Sequence, residues 1–402
     1  MDKMQSKKRV FLINWDNQRP AVVKVAEDLQ NLGYEILYWV APYKDEIGNN
    51  KLKFPQTQFH WHDDAIKLVP PTEIDEAEFP PLGEELIENL YEIESTLAAM
   101  KKFYILSKSV LAKKHLFHRL IQYWHGIIKK FKPDIIFFVI YPHSVFDYTI
   151  YSLAKFLKIK TIMFEYTGIT DRYLLISDFK EGSLALRDEY HKNQNQQYKI
   201  EDLSVDLQSY YRWHLDYIAG EIQPELKQVL KSASGINKLF LKSKVVIKSF
   251  FDLSFFKKFA GYIAKEIGSN MKKEYERLQT TPDFNKKYIY LPLNFQPECP
   301  SSPLGGVFVD KILMIKTLSY CLPENWLIYV KEHPIQWAIS SLAYFDFRYK
   351  GYYEEIFKIK NVRIMPIGTN SHKLIVNSQA VATVSGTAGM EALWRLKPVL
   401  LF

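Results

Sequence analysis

Three short stretches combine residue types that suit the binding of a phosphorylated ligand. In Thr383-Val384-Ser385-Gly386-Thr387-Ala388-Gly389-Met390-Glu391-Ala392-Leu393 an apolar run gives way to small residues and then to a helical pattern. Glycine lets a backbone approach a ligand closely, and N–H groups at the start of a helix attract phosphate. Ser385 and Thr387 add hydroxyl donors. The competing reading is a tight turn that needs small residues for packing. Lys331-Glu332-His333-Pro334 directly follows the apolar run 326–330, which places a lysine and a histidine at the carboxyl end of a strand. Both can donate to phosphate, and Pro334 stiffens the turn. The third stretch is Leu293-Asn294-Phe295-Gln296-Pro297-Glu298, followed by a turn through Gly305 and Gly306 into a helix. Amides such as Asn294 and Gln296 suit base or sugar recognition, although a plain βα loop would look the same.

The N-terminal half offers acid–base chemistry instead. Tyr141-Pro142-His143 follows one apolar run, with Asp147 a helical turn later. Glu165 follows the next run, with Asp171 and Arg172 in the loop behind it. A carboxylate at such a strand end can serve as general base or as nucleophile toward a sugar. Glu165 has a blander reading as a helix cap or as the partner of Arg172. Asn14, Asp16 and Arg19 follow the first strand and are expected near the same ligand. His60-x-His62-Asp63-Asp64 looks like a metal motif but stands in a Pro-rich stretch with no further ligand nearby, so no metal is expected there. No Walker loop, G-x-S-x-G elbow or G-x-G-x-x-G fingerprint occurs.

Such residues need strands to hold them. Residues 10–14 read as a buried strand, 21–32 as a helix opened by Pro20 and closed by Gly33, and 35–40 as a second strand. A polar, Pro-rich stretch precedes helices near 84–100 and 111–131. Residues 134–140 then read as a central parallel strand, 144–157 as a helix and 160–164 as a strand. The C-terminal segment repeats the cadence: strands at 287–294, 326–330, 362–365, 380–384 and 398–402, with helices near 309–321 and from 389. The β-α-β alternation predicts two doubly wound α/β domains, with ligands outside the carboxyl ends of the strands in a cleft between them. The predicted division is 1–200, a helical connection at 201–285, and 286–402. The last domain is expected to be incomplete, because the sequence stops on an apolar strand.

Composition agrees with a globular protein: 402 residues, 47% hydrophobic and 24% charged, too long for a single core of ~150 residues. Aromatics at 15% are read as compositional bias rather than as stacking sites. Two cysteines, Cys299 and Cys321, exclude a disulfide framework and point to a reducing cytoplasm. No apolar run is long enough for a signal segment or a membrane span. The net charge of +8 permits anionic partners without choosing among them. From 238 to 277 lysines alternate with Phe250, Phe251, Phe255, Phe256 and Phe259, a pattern that suits peripheral contact with an anionic membrane or, alternatively, a solvated face of a helical bundle.

The segments 291–310 (LPLNFQPECPSSPLGGVFVD), 329–337 (YVKEHPIQW) and 380–402 (AVATVSGTAGMEALWRLKPVLLF) together resemble the capsule polysaccharide biosynthesis family, which includes Kdo transferases of the GT-B fold. Residues 141–162 (YPHSVFDYTIYSLAKFLKIKTI) are similar to the same group. The resemblance implies a glycosyltransferase that moves an acidic sugar from a CMP-activated donor to a polysaccharide or glycolipid acceptor, with no metal, no other cofactor and no nucleic acid. It implies that His333, Pro334, Ser385, Gly386 and Thr387 hold the donor phosphate. Lys331, Asn294, Gln296, Gly305, Gly306, Ala388, Gly389 and Glu391 complete the donor side. The catalytic carboxylate is expected in the N-terminal domain, Glu165 first and Asp171 second, with Asn14, His143, Asp147 and Arg172 on the acceptor side. A CDP-dependent polyol-phosphate transferase of the same fold and a non-catalytic assembly protein remain alternatives.

Overall fold

β1 (Arg9–Ile13) shows why these apolar runs become strands. Val10 and Leu12 bury in one layer while Phe11 and Ile13 bury in the other, so both faces are covered and no polar alternation is needed. The computed structural model describes residues 7–16, 20–100, 109–169, 172–216, 271–296, 301–334, 336 and 348–402. Arg19, Asp171, Cys299 and residues 238–270 of the lysine-rich stretch lie outside the described residues. The chain divides into two compact units, residues 1–197 with 302–304 and residues 198–301 with 305–402.

The first unit holds β1, β2 (Glu35–Ala41), β3 (Gln58–Trp61), β4 (Ile135–Phe138), β5 (Lys160–Tyr166) and β6 (Tyr173–Ile176). Their order is β3-β2-β1-β4-β5-β6, parallel from β1 to β5, with β6 antiparallel at the edge. The helix Val110–Phe131 starts at Ser109, whose Oγ accepts from the Ala112 N–H, and buries Phe117, Leu120, Ile121, Trp124 and Ile128 at helical spacing. Gly126 on the same face lets the Phe79 ring lie against the backbone; a Cβ there would stand 2.2 Å from Phe79 Cγ.

Two expectations are corrected here, the loop reading of the Pro-rich stretch and the helix after it. The Pro-rich stretch contains a strand, β3, in which Phe59 and His60 are both buried. On this strand His60 Nε2 donates to the Val69 carbonyl at 2.9 Å, and its Nδ1 accepts from the Tyr38 hydroxyl at 2.8 Å. Burial lowers its pKa to about 4, so it stays neutral. The single helix expected near 84–100 is two, Glu84–Asn89 and Tyr91–Ala98, broken at Leu90.

The second unit holds β7 (Tyr288–Pro292), β8 (Leu327–Lys331), β9 (Val362–Ile364), β10 (Ala380–Thr383) and β11 (Val399–Leu401) in the order β11-β10-β7-β8-β9, all parallel. Counted from its own first strand this is 5-4-1-2-3, the winding that β1 to β5 follow in the first unit. Two Rossmann-like units of this kind are the components of a GT-B chain. Tyrosines account for much of this core. Tyr288 stacks on Tyr329 with ring centroids 4.1 Å apart. Their hydroxyls, with that of Tyr275, donate to the carbonyls of Leu374, Asp283 and Met365. Each of these three rings is buried and its hydroxyl satisfied.

Candidate functional site

In an open parallel sheet the strand order reverses at one point, and the loops leaving the two strands there diverge to form a crevice. The second unit reverses between β7 and β10, and the chain leaving each carries predicted residues. After β7, Asn294 Nδ2 donates to the Ser385 carbonyl at 3.0 Å and approaches Ser385 Oγ at 3.5 Å. Asn294 Oδ1 is buried and has no hydrogen-bond partner among the described residues. After β10, the Thr383 hydroxyl donates to the Ser385 carbonyl at 2.6 Å, closing a tight turn. Gly386 follows with φ +98°, a conformation that disfavours side chains, and Gly386 and Thr387 are exposed where the helix Thr387–Leu393 begins. Gly389 and Ala388 have packing roles: a Cβ on Gly389 would sit 3.3 Å from Thr383 Cγ2, and Ala388 packs in the core under β10.

β8, beside β7, ends in Lys331. This lysine is only 4% exposed, and its Nζ donates to Ser371 Oγ at 3.0 Å, which also receives the Tyr290 hydroxyl. Burial lowers its pKa to about 8, with Glu332 pulling the other way. His333 is partly buried, its ring 5.6 Å from that of Phe295, and burial lowers its pKa as well. Pro334 is partly exposed beside it.

Behind these side chains lies a buried ion pair. Glu332 Oε2 accepts from Arg348 Nε at 2.9 Å and from the Tyr353 hydroxyl at 2.6 Å, while Oε1 accepts from the His333 N–H at 2.7 Å. The same guanidinium donates to the Asn294 carbonyl at 3.3 Å and lies 4.8 Å from the Tyr352 ring centre. The pair thus fixes the β7 and β8 loops against each other. Gln336 adds a second clasp: its amide accepts from the Gln296 N–H at 2.8 Å and donates to the Gln296 carbonyl at 3.0 Å. The side chain of Gln296 is buried and donates to Ser301 Oγ, so this amide holds the loop. Gly305 lies on the same loop, where a Cβ would come 2.7 Å from the Ser301 carbonyl, and Gly306 turns the chain with φ +50°. Glu391 is partly buried on the helix after the turn, with its carbonyl accepting from Arg395.

Spacing alone missed Ser371, Arg348, Gln336, Tyr353 and Tyr275. Gln336 follows Pro334 by two residues, and the others arrive from elements that carry no recognisable local pattern.

The first unit reverses between β1 and β4. Asn14, just past β1, has φ +55° and is 9% exposed. Its Nδ2 donates to Asp147 Oδ2 at 2.8 Å, and its Oδ1 lies 2.7 Å from His62 Nδ1. Asp147 Oδ1 accepts from the Ser144 N–H at 2.7 Å. Burial raises the pKa of Asp147 to about 6, against the pull of His143 and its hydrogen bonds. His143 donates from Nδ1 to the Tyr141 carbonyl at 3.0 Å. Glu165 lies within β5, not beyond it, opposite Leu174 of β6, because the strand runs on to Tyr166 to pair with that edge. It is half-buried, and desolvation raises its pKa. Arg172 closes the β5–β6 turn through its backbone, with its N–H on the Ile169 carbonyl.

Residues 302–402 match the family described as capsule polysaccharide biosynthesis protein, so the resemblance drawn from the sequence holds over this segment. Among curated proteins nothing matches. Solved structures similar to this chain include UDP-GlcNAc 2-epimerase from Methanocaldococcus jannaschii (12% identity, 98% of this chain and 82% of that one, TM-score 0.22). Others are UDP-GlcNAc 2-epimerase from Neisseria meningitidis bound to UDP-GlcNAc (13%, 98% and 82%, 0.21) and the glycosyltransferase SnogD from Streptomyces nogalater (11%, 98% and 81%, 0.22). At such TM-scores the likeness carries no argument, and the architecture rests on the two strand orders.

Proposed function

We propose that this protein is a glycosyltransferase of capsule or surface polysaccharide biosynthesis that takes an acidic, Kdo-like sugar from a CMP-activated donor. The observation that supports this best is the second switch point. There a buried cation, a histidine and a glycine turn from the segment that matches the capsule family stand with an asparagine that precedes that segment and has an unsatisfied buried oxygen, and all four come from three adjacent parallel strands.

CMP leaves with a single phosphate, so the charge that develops in the transition state falls on one group. Lys331 is protonated at neutral pH and, with His333 and the hydroxyls of Ser385 and Thr387, supplies the positive end without a metal ion. Asn294 Oδ1 needs a donor, and a cytosine amino group or a ribose hydroxyl provides one. In the first unit Glu165 is the proposed catalytic carboxylate, with Asp171 as the second choice. Asn14, His143, Asp147 and Arg172 serve the acceptor. No helix among the described residues is long and apolar enough to cross a membrane. Contact with an anionic lipid surface through 238–277 is proposed from the sequence alone.

Thermal-shift titration with CMP, CDP, UDP, GDP and ADP tests the reading, because a ligand that binds only the folded state raises its stability. Stabilisation by CMP above the others is expected. A preference for CDP would favour polyol-phosphate transfer, and a preference for UDP or GDP would refute the donor assignment. His333→Ala should weaken CMP binding by roughly 1–3 kcal/mol, the range for losing a charge-assisted hydrogen bond. Unchanged affinity in calorimetry would remove His333 from the site.

A further inference from the structure

We infer that Lys331, Ser371 and Tyr290 form a phosphate seat in the second unit, with Ser371 as a phosphate ligand brought by a fourth loop. That the phosphate belongs to a nucleotide donor rests on the function proposed above. Ser371 follows β9 and opens the helix Ser371–Asn377, so it stands at the same carboxyl edge of the sheet as Asn294, Lys331 and Ser385. The ordinary role for a serine there is to cap the helix, but Asn370 already does so, its Oδ1 accepting from the Lys373 N–H at 3.2 Å. The Ser371 hydroxyl is turned instead toward the neighbouring strands. Its Oγ accepts from Lys331 Nζ at 3.0 Å and from the Tyr290 hydroxyl at 3.3 Å.

This cluster has more hydrogens than acceptors. A serine oxygen offers two lone pairs and one hydrogen, whereas an ammonium has three hydrogens and no lone pair. Both lone pairs of Ser371 Oγ are taken, so its own hydrogen is left over. Reversing the bond to Tyr290 moves that surplus to the tyrosine hydroxyl and does not remove it. Lys331 uses one N–H on Ser371, and among the described residues its other N–H groups and the surplus hydroxyl meet no acceptor.

Nor does a carboxylate of the protein neutralise the lysine. Glu332 turns to the opposite face, where it accepts from Arg348, Tyr353 and the His333 N–H. A cation 4% exposed whose hydrogen-bond partner is a neutral hydroxyl is costly until an anion completes it. Burial holds the Lys331 pKa at about 8, so the charge is still present at neutral pH. Ser371 is only partly buried, and the cluster reaches the surface there. Surplus donors with one positive charge suit a tetrahedral oxyanion, which brings lone pairs to spare. With the anion bound, Tyr290 donates to Ser371, and Ser371 and Lys331 donate to the anion. Tyr290 is thus a positioning residue.

The test measures binding of CMP, cytidine and inorganic phosphate to the full chain by calorimetry, with thermal unfolding of each variant as a check on folding. Inorganic phosphate should displace CMP but not cytidine, because only CMP brings a phosphate of its own. Ser371→Ala should weaken CMP and inorganic phosphate at least about tenfold, the low end for a hydrogen bond to a charged group, and leave cytidine unchanged. Tyr290→Phe should weaken CMP by less, again with cytidine unchanged; an equal loss for cytidine would reduce Tyr290 to packing. Wild-type CMP affinity in Ser371→Ala, or a loss for cytidine as large as that for CMP, would overturn the seat while leaving a preference for CMP, and so the proposed function, in place. A wild type that prefers UDP or GDP, yet loses nucleotide and inorganic phosphate in Ser371→Ala, would refute the donor assignment and keep the seat. A wild type that binds neither inorganic phosphate nor any nucleotide would refute both.

Discussion

Replacing Arg348 by methionine tests whether the buried ion pair holds the candidate donor site together. Arg348 is 3% exposed and Glu332 is 1% exposed, so neither charge is relieved by solvent. Methionine keeps much of the side-chain volume over Tyr352 but removes the guanidinium. Among the described residues Glu332 would then keep only the Tyr353 hydroxyl and the His333 N–H as donors, with an uncompensated charge in a desolvated place. Breaking such a pair from one side costs about 3–5 kcal/mol. For a unit of roughly 200 residues, where each kcal/mol moves Tm by about 2–4 °C, this is a drop of about 6–20 °C.

Removing both charges should cost much less than removing one, because the desolvation penalty disappears together with the attraction. The assay is therefore a cycle of wild type, Arg348→Met, Glu332→Gln and the double variant, read by thermal unfolding and by CMP calorimetry. Arg348 also bonds the Asn294 carbonyl, so CMP affinity should fall in Arg348→Met even where the protein is fully folded. A Tm loss below about 2 °C, or additive losses in the double variant, would show that the pair is not the clasp described here.

Lys331 gives a pH prediction. Its pKa lies lower in the folded state, at about 8, than in the unfolded chain, so the folded state carries the cost of a buried charge below pH 8. The unfolded chain holds the extra proton above that, so this contribution to stability rises with pH from about 8 to about 10. Lys331→Met should accordingly be more stable than wild type at pH 7, and the gap should close by pH 10. CMP affinity should fall in wild type as pH passes about 8 but not in Lys331→Arg; parallel profiles in calorimetry would remove Lys331 from phosphate binding. Gly126→Ala should destabilise the first unit by about 1–3 kcal/mol, because the new Cβ meets the Phe79 ring at 2.2 Å and the helix must move. Chemical denaturation with an unchanged midpoint would refute that packing.

What could be read from the sequence depended on whether chain order and spatial order coincide. A parallel strand buried on both faces announces itself as an apolar run, and the residues that leave it must lie at its carboxyl end. Asn294, Lys331, His333 and Ser385 were legible for that reason. β3 was not, because His60 fills an interior position with a polar ring whose two nitrogens are satisfied by Tyr38 and Val69, contacts that no local pattern encodes. The same blindness hid the contact that His62 makes with Asn14. Read beside His60, His62 looks like half of a metal motif, yet one ring is sealed in the core and the other is tied to Asn14, 48 residues earlier. Arg348 is hidden in the same way, since only the fold returns it to Glu332. Residues that end strands can thus be nominated from sequence, whereas those that fix their protonation and orientation come from elsewhere in the chain. That division assigns the experiments: substitutions at the strand ends should change what binds, and substitutions at Asn14, Asp147, Glu332 and Arg348 should change how well the strand-end residues are held.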